Sequence, residues 1–171
     1  MLYCPTIDHL SCPPPSALVA RQNYQCPATL PKLTELLIRD LPSYANRSEQ
    51  RRRPKVNTIN YTNYLTAGRP EIAAQLIENP EYRPQVPGSA PSQLYLSTLE
   101  KRYMGQNSTE LQQFHWLFLA KGKQDWYLVA MYSRQGRTIG EPLPAVESFQ
   151  SPVGEGVQIW LRDCNAGKIQ P

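Results

Sequence analysis

His115 is the residue in this sequence whose type and surroundings best suit acid–base chemistry. It alternates with Gln113 on a predicted strand, so the two side chains share one strand face. Beside Glu100 or Asp125, its imidazole could act as a general base in a pocket. The alternative is a histidine at the edge of the core, hydrogen-bonded to the main chain or to Gln113. We favour this alternative, because the spacing of the residues places no nucleophile or second catalytic group near His115. If a ligand pocket exists, we expect it at His115, Gln113 and Glu100.

Metal and cofactor sites are not indicated. The second histidine, His9, lies far from His115 in the chain, and the cysteine spacings contain no Cys-x-x-Cys pair. No glycine-rich nucleotide loop stands out either. The sequence therefore predicts no cofactor, no metal ligand and no identifiable catalytic residue.

The four cysteines are Cys4, Cys12, Cys26 and Cys164. They permit three pairings, or four free thiols in a cytosolic protein. We predict a bond between Cys26 and Cys164. Cys26 comes just before the predicted first helix, and Cys164 lies on the apolar stripe of the last one. That bond would close a loop of more than a hundred residues, whereas a bond within the N-terminal arm would close a short one.

The densest run of positive charge is Arg51, Arg52, Arg53 and Lys55, in a chain of net charge +4. Such a run could bind nucleic acid or anionic lipid. The alternative is a solvated helix end whose cations balance the helix dipole. We favour the solvated end, because the overall charge is modest and no nucleic-acid-binding motif is present. Peripheral membrane contact is the weaker hypothesis, and the sequence argues against nucleic acid.

A polar strand face is predicted within 56–67 by the alternation of its side chains. This face contains Thr58, Asn60, Thr62, Tyr64 and Thr66, and the opposite face contains Ile59, Tyr61, Leu65 and Ala67. The polar face could line a cleft or accept a partner strand. We favour an ordinary solvent-facing side of a sheet.

The elements that position these residues follow from periodicity and from the breaks made by proline and glycine. Of the 171 residues, 40% are hydrophobic and 19% charged, which suits one globular domain. We expect an irregular arm at 1–28 and a single domain at 29–171. A helix should begin at Thr29, whose side chain can cap the free amides of the first turn, and Asp40 should open a kink or second helix in the same way. Further segments are predicted as strands at 93–103, 111–120 and 126–132, a short helix at 71–78, a surface loop at 80–91 and a helix at 154–164.

The predicted fold class is α+β. It has a four-stranded antiparallel meander, packed with an N-terminal helical segment and a C-terminal helix. Strand 111–120 is apolar at most positions, so we expect both of its faces to be covered. A polar turn at 121–125, containing a glycine able to take a positive φ, should join it to strand 126–132.

Three segments resemble a family of cyanobacterial proteins for which no activity is known to us. They are 41–47, 110–119 and 159–164, and the resemblance spans roughly residues 26–168. It implies a cyanobacterial origin and an exported location, without implying an activity. The order of helix and sheet also looks like the nuclear-transport-factor-like cone fold, which by itself implies no function.

The predicted function is that of a non-enzymatic accessory or binding protein, acting on an unknown protein or small ligand. The alternative is an enzyme or a small-ligand pocket in a cone-like fold, with His115 in the cavity. We expect the periplasm, the thylakoid lumen or a membrane surface rather than the cytoplasm, because a disulfide persists in oxidising compartments.

Overall fold

The computed structural model describes residues 24–54, 60–70, 90–136 and 143–171. Its elements are α1 (Leu30–Arg52), β1 (Asn60–Gly68), β2 (Ser92–Met104), β3 (Asn107–Lys121), β4 (Trp126–Gln135), β5 (Val146–Glu147) and α2 (Pro152–Asn165). The five strands form one open antiparallel sheet in the order β1-β2-β3-β4-β5. The predicted α+β class is therefore confirmed, with one strand more than expected. The predictions for 1–23, 55–59, 71–78 and most of 80–91 lie outside the described residues.

Helix α1 is longer than the sequence predicts. Leu33, Leu37, Leu41 and Ala45 recur every four residues and are all fully buried. Pro42 lies inside the helix, although it cannot donate the usual backbone hydrogen bond. Of the kink or second helix expected from Asp40, the second helix is wrong, because burial of one continuous apolar stripe outweighs the cost of the proline. The kink stays a prediction.

The polar residues expected to cap these helices have other roles. Asp40 accepts a hydrogen bond from Nε1 of Trp160 at 3.0 Å and another from Arg39. Thr29 stands before the first turn of α1, but its side chain makes no capping hydrogen bond. Its carbonyl oxygen instead accepts from the Leu33 amide. The expectation of a Thr29 side-chain cap is therefore wrong.

Helix α2 has the predicted apolar stripe, and Val157, Trp160, Leu161 and Cys164 are all buried. Ser151 caps the helix by accepting a hydrogen bond from the Gly154 amide. Gly156 lies against α1 so closely that an added Cβ would stand 2.9 Å from the Ala45 nitrogen. A larger residue there would push the two helices apart.

The sheet carries a separate apolar cluster on each face. On the helix side, Leu96, Leu117 and Met131 join the stripes of α1 and α2 in the main core. On the other side, the fully buried Trp116 and Phe118 form a second cluster with aromatic neighbours from β2, β3 and β4. Both faces of β3 are therefore covered over its central residues, as predicted.

The sequence assigns the polar face of β1 to solvent, but in the structure part of this face points toward the helices. Tyr64 is 7% exposed and belongs to the main core, whereas Leu65 is 38% exposed. A register shift between Tyr64 and Thr66 interrupts the alternation. Because of this bulge, Tyr64 and Ala67 both pack against the main core. The prediction of a solvent-facing polar side is wrong at Tyr64.

Two asparagine side chains close exposed edges of the sheet. Asn46 of α1 donates to the Tyr64 carbonyl and accepts from the Tyr64 amide, both at 2.8 Å. Asn165 of α2 makes the same pair of hydrogen bonds with Trp126 of β4, at 2.9 and 3.1 Å. Each carboxamide therefore occupies the place of a neighbouring strand.

The segment before α1 is tied to the domain. Cys26 and Cys164 form a disulfide that joins positions 138 residues apart, which is the pairing expected from the sequence. Nε1 of Trp126 donates to the Pro27 carbonyl at 2.8 Å, and Lys121 donates to the Ala28 carbonyl. Residues 24–28 lack helix and strand, as predicted for the arm. They are nevertheless held by the end of β3, the start of β4 and helix α2.

The hairpin turn between β3 and β4 differs from its prediction in one detail. Gly122 does not adopt a positive φ, and its amide donates to the Asp125 carbonyl at 2.8 Å. Gly105, in the turn between β2 and β3, has a φ of 64° instead. The turn that requires the conformational freedom of glycine is therefore the one between β2 and β3, at Gly105.

No helix in the described part of the chain is both long enough and apolar enough to cross a bilayer.

Candidate functional site

A cleft of about 480 Å³ opens on the helix side of the sheet. Its walls come from the end of α1, from all five strands and from the start of α2. Its polar lining comprises Glu49, Thr62, Tyr64, Glu100, Arg102, Gln113, His115, Ser133, Glu147, Ser148, Gln150 and Ser151. Residues from most elements of the fold therefore meet at one place.

The three residues predicted for a ligand pocket all line this cleft. Glu100 lies on β2, and Gln113 and His115 lie on the neighbouring β3. Alternate residues of a strand share a face, and the register of β2 with β3 brings these side chains to the same side of the sheet. Asp125, the other carboxylate considered beside His115, lies in the β3–β4 turn and does not line this cleft.

His115 is fully satisfied by hydroxyl groups. Its Nε2 lies 2.8 Å from Oγ1 of Thr98, and its Nδ1 lies 2.7 Å from Oγ of Ser133. Oγ of Ser133 is in turn 2.6 Å from Oγ of Ser148. The expected partners, the main chain and Gln113, are not the ones observed.

The imidazole of His115 is held in its neutral form. Burial lowers its pKa from 6.5 to about 3, because the charged form would lose its hydration. The side chain is 1% exposed, and neither ring nitrogen is hydrogen-bonded to a carboxylate. This arrangement resembles a structural core histidine more than a general base.

Glu100 is the unusual group of the cleft. Its side chain is 2% exposed, and Oε1 has no hydrogen-bond partner within the described ranges of the chain. Oε2 lies 3.9 Å from Nη2 of Arg102, which is the outer limit of an ion pair. A buried polar atom without a partner costs about 1–3 kcal/mol, so its presence requires an explanation.

The pKa of Glu100 is raised to about 7, and burial is the main cause. The negative charge of Glu49 adds to the increase, while Arg102 and the Gln113 side chain oppose it. Near neutral pH this carboxyl can therefore either donate or accept a proton. Perturbed acids of this kind concentrate at binding and catalytic sites.

The polar face of β1 lines the cleft through Thr62 and Tyr64. Burial raises the pKa of the Tyr64 phenol, and the nearby carboxylates of Glu100 and Glu49 raise it further. Asn60 of the same predicted face lies at the strand end, where its side chain accepts from the Gly105 amide. The structure therefore fits the hypothesis that this face lines a cleft better than the hypothesis of an ordinary solvent-facing side, which the sequence favoured.

Sequence reasoning missed Glu49, Arg102, Ser133 and Ser148 as lining residues. Glu49 and Ser148 lie on elements far apart in the chain, so no spacing rule connects them. Arg102 could have been found, because it stands two residues after Glu100 on a strand whose earlier inward positions, Leu94, Leu96 and Thr98, are uncharged. Two charged residues at the inward positions that follow are a recognisable signal.

The basic run does not form one surface among its described members. Arg51 donates to Oγ of Ser48 at 2.9 Å, and Arg52 lies 3.6 Å from Glu155. The Arg53 guanidinium stacks 4.2 Å from the ring of Tyr61. Three arginines thus contact three different places, which fits a helix end better than a binding patch. Lys55 lies outside the described residues.

A second cleft, of about 350 Å³, lies between residues 24–28, the β3–β4 turn and the end of α2. The principal polar side chains there, Lys121 and Asn165, already form hydrogen bonds with the main chain. The larger cleft is the better candidate, because it alone of the two contains a buried carboxyl oxygen without a partner.

Within the described ranges, no group of three or more histidine, cysteine, aspartate or glutamate side chains is placed to bind a metal. Comparison with known protein families, with curated proteins and with solved structures finds no match to this chain. The cyanobacterial resemblance and the cone-like fold therefore stay predictions, and the cleft is the feature that bears on function.

Proposed function

We propose that this protein is a non-enzymatic binding protein that holds a small polar molecule in the cleft at Glu100. The observation that carries the proposal is the buried Oε1 atom of Glu100, a residue that lines the cleft. In the part of the chain that the structure describes, this atom has no hydrogen-bond partner. A ligand that supplies the missing partner would remove the free-energy cost of that atom. The fold tolerates this cost in the absence of a ligand, as folds do at functional sites.

Two features favour binding over chemistry at His115. The imidazole is neutral over the physiological range, and both of its nitrogens are already engaged by Thr98 and Ser133. A general base needs a nitrogen that can reach the substrate. His115 therefore serves to fix the floor of the cleft through the chain of hydroxyls.

A second candidate function is general acid–base catalysis by Glu100. A pKa of about 7 is near the value that suits proton transfer at neutral pH. In that case Glu100, rather than His115, would be the catalytic group. We rank this second, because the hydroxyls in contact with a base, those of Thr98 and Ser133 on His115, belong to a buried network whose histidine has a pKa of about 3 and is therefore a weak base.

The proposal includes a location outside the cytosol. The disulfide between Cys26 and Cys164 supports it, because such bonds persist in oxidising compartments. Periplasm and thylakoid lumen both meet this condition.

The test uses the isotope-labelled, oxidised full-length chain and a set of small polar fragments, each added separately. Amide chemical shifts are recorded by two-dimensional NMR. We expect at least one fragment to move the signals of cleft residues such as Thr62 and Gln113 in a saturable way. Absence of saturable cleft shifts across neutral, cationic and anionic fragments would contradict the proposed function.

The chain offers a matched pair of variants for this test. Gln113→Ala removes an amide from the cleft wall, whereas Gln112→Ala removes one from the exposed opposite face of the same strand. Binding should weaken in Gln113→Ala and persist in Gln112→Ala. Equal effects of the two substitutions would place the ligand elsewhere.

A further inference from the structure

We infer that the ligand of the cleft is a small organic cation, an alkylammonium group that donates a hydrogen bond to Oε1 of Glu100. This inference rests on the proposed function and specifies its ligand class. Oε1 has no partner among the described residues, so an ammonium that reaches it would form a charge-assisted hydrogen bond without displacing a donor from that part of the chain.

The charges around the cleft favour a positive ligand. Among the described lining residues, three carboxylates, from Glu49, Glu100 and Glu147, stand against one guanidinium, that of Arg102. The chain as a whole carries a net charge of +4, so this acidic lining runs against the overall charge. Local concentration of one sign of charge raises the affinity for ligands of the opposite sign.

Arg102 does not neutralise Glu100 effectively. Its nearest nitrogen is 3.9 Å from Oε2, and its side chain is 41% exposed, so water weakens this ion pair. The other oxygen of Glu100 remains for a second cation. Glu49 strengthens the site, because its charge repels that of Glu100 and a bound cation would relieve the repulsion.

The start of α2 does not offer an equivalent site for an anion. Pro152 has no amide hydrogen, the Gly154 amide donates to Oγ of Ser151, and the Glu155 amide donates to the Ser151 carbonyl. The helix end is therefore mostly satisfied by its own cap. The attraction of the carboxylates for a cation is therefore stronger than that of the helix end for an anion.

An organic cation fits the lining better than a metal ion. Metal ions of biological importance need several ligands within bonding distance, and the described residues hold no group of three or more such ligands. The cleft also has apolar walls from Tyr64, Val146 and Val153. These can pack against the alkyl portion of an amine.

The experiment compares three probes of one chain length: n-butylammonium, n-butanol and n-butanoate. Each is titrated into the oxidised full-length chain at pH 8, and cleft amide shifts are followed by NMR. We expect n-butylammonium to bind more tightly than the other two. Stronger binding of n-butanol or n-butanoate in the cleft would overturn the cation assignment, although the cleft would still be a ligand site.

The variants Glu100→Gln and Glu110→Gln remove the same charge from opposite faces of the sheet. Glu100→Gln should weaken n-butylammonium binding roughly tenfold or more, the usual effect of losing a hydrogen bond to a charged group. Glu110 is exposed and lies outside the cleft, so its substitution should have little effect. The amide spectrum of each variant shows whether its fold is intact. Equal affinities of the two folded variants would overturn the assignment.

Binding should also depend on pH. The groups facing the cleft that carry or exchange charge are Glu49, Tyr64, Glu100, Arg102, His115 and Glu147. Glu100 ionises with a pKa of about 7, and the ammonium binds its ionised form. Affinity should therefore rise from pH 6 to pH 8 in the unmodified protein, and this rise should be lost in Glu100→Gln. An affinity of the unmodified protein that stays constant over this range would contradict the role of Glu100.

Discussion

Glu100 and His115 lie on the same face of the sheet, and burial shifts their pKa values in opposite directions. Burial disfavours whichever form is charged, so it raises the pKa of an acid and lowers that of a base. The pKa of Glu100 rises to about 7, while that of His115 falls to about 3. Burial therefore favours the neutral form of both groups. Both nitrogens of His115 have hydrogen-bond partners, whereas Oε1 of Glu100 has none among the described residues.

The lowered pKa of His115 predicts how stability depends on pH. Below about pH 6.5 the unfolded chain takes up a proton on this histidine, whereas the folded protein does so only near pH 3. The contribution of His115 to stability is therefore complete above pH 6.5 and declines as the pH falls toward 3. The free energy of unfolding should be measured by denaturant titration for the unmodified protein and for His115→Gln.

At pH 7 the unmodified protein should be more stable than His115→Gln by about 1–3 kcal/mol, because the hydroxyl network is disturbed. Between pH 7 and pH 4.5 this advantage should shrink by up to about 2–3 kcal/mol. The difference between the two proteins isolates His115, since Glu100 titrates in both. A difference that stays constant with pH would show that His115 is accessible to protons in the fold.

At the scale of elements, the helices do more than cover the sheet. Asn46 and Asn165 each provide both a donor and an acceptor to one residue of a strand, so a helix side chain closes each exposed edge. Unpaired strand edges bind other strands and promote aggregation. The two carboxamides therefore protect the sheet as well as join it to the helices.

Asn165→Ala should leave the amide and carbonyl of Trp126 without their partners. We expect a loss of stability of about 1–3 kcal/mol and faster hydrogen exchange at the Trp126 amide. Asn165→Asp keeps the acceptor but removes the donor, so its effect should be smaller. Asn107→Ala, at the exposed start of β3, serves as the matched control. Unchanged exchange at Trp126 in Asn165→Ala would contradict the role assigned to this side chain.

At the scale of the whole molecule, the disulfide joins the segment before α1 to the last turns of α2. It connects positions 138 residues apart, so it restricts most of the unfolded chain. The chain-entropy treatment gives a stabilisation of at most about 4–5 kcal/mol for a loop of this size. The disulfide holds the segment before α1 to the final helix, and hydrogen bonds from Lys121 and Trp126 hold the same segment to the β3–β4 hairpin.

Reduction of the disulfide should lower the melting temperature, and Cys26→Ala should reproduce most of the decrease. Adding Cys164→Ala to Cys26→Ala should cost less than the sum of the two single substitutions, because one bond is lost in each case. Cys4 and Cys12 take no part in this bond, and their serine variants are the controls. Mass mapping should recover a linked peptide pair containing Cys26 and Cys164. Recovery of both as free thiols from freshly isolated protein would remove the support for an exported location.

The sequence by itself determined the elements whose pattern is local. The stripe of Val157, Trp160, Leu161 and Cys164 identified α2, because residues three and four apart share a helix face. The apolar run of β3 likewise predicted a strand covered on both sides. The meander followed from short connections between consecutive strands, and the pairing of Cys26 with Cys164 was expected from their places beside the two helices.

Only the tertiary structure decided the features that depend on distant contacts. Core packing carries α1 through Pro42, and a bulge after Tyr64 lets both Tyr64 and Ala67 face the main core. The strand β5 has two residues, which pair with Tyr132 and Ser133, and so short a strand has no sequence periodicity that could predict it. The cleft likewise depends on contacts between distant parts of the chain. Its carboxylates come from α1, β2 and β5. The burial of Glu100 and its repulsion by Glu49 exist only once the sheet and helices have brought these residues together.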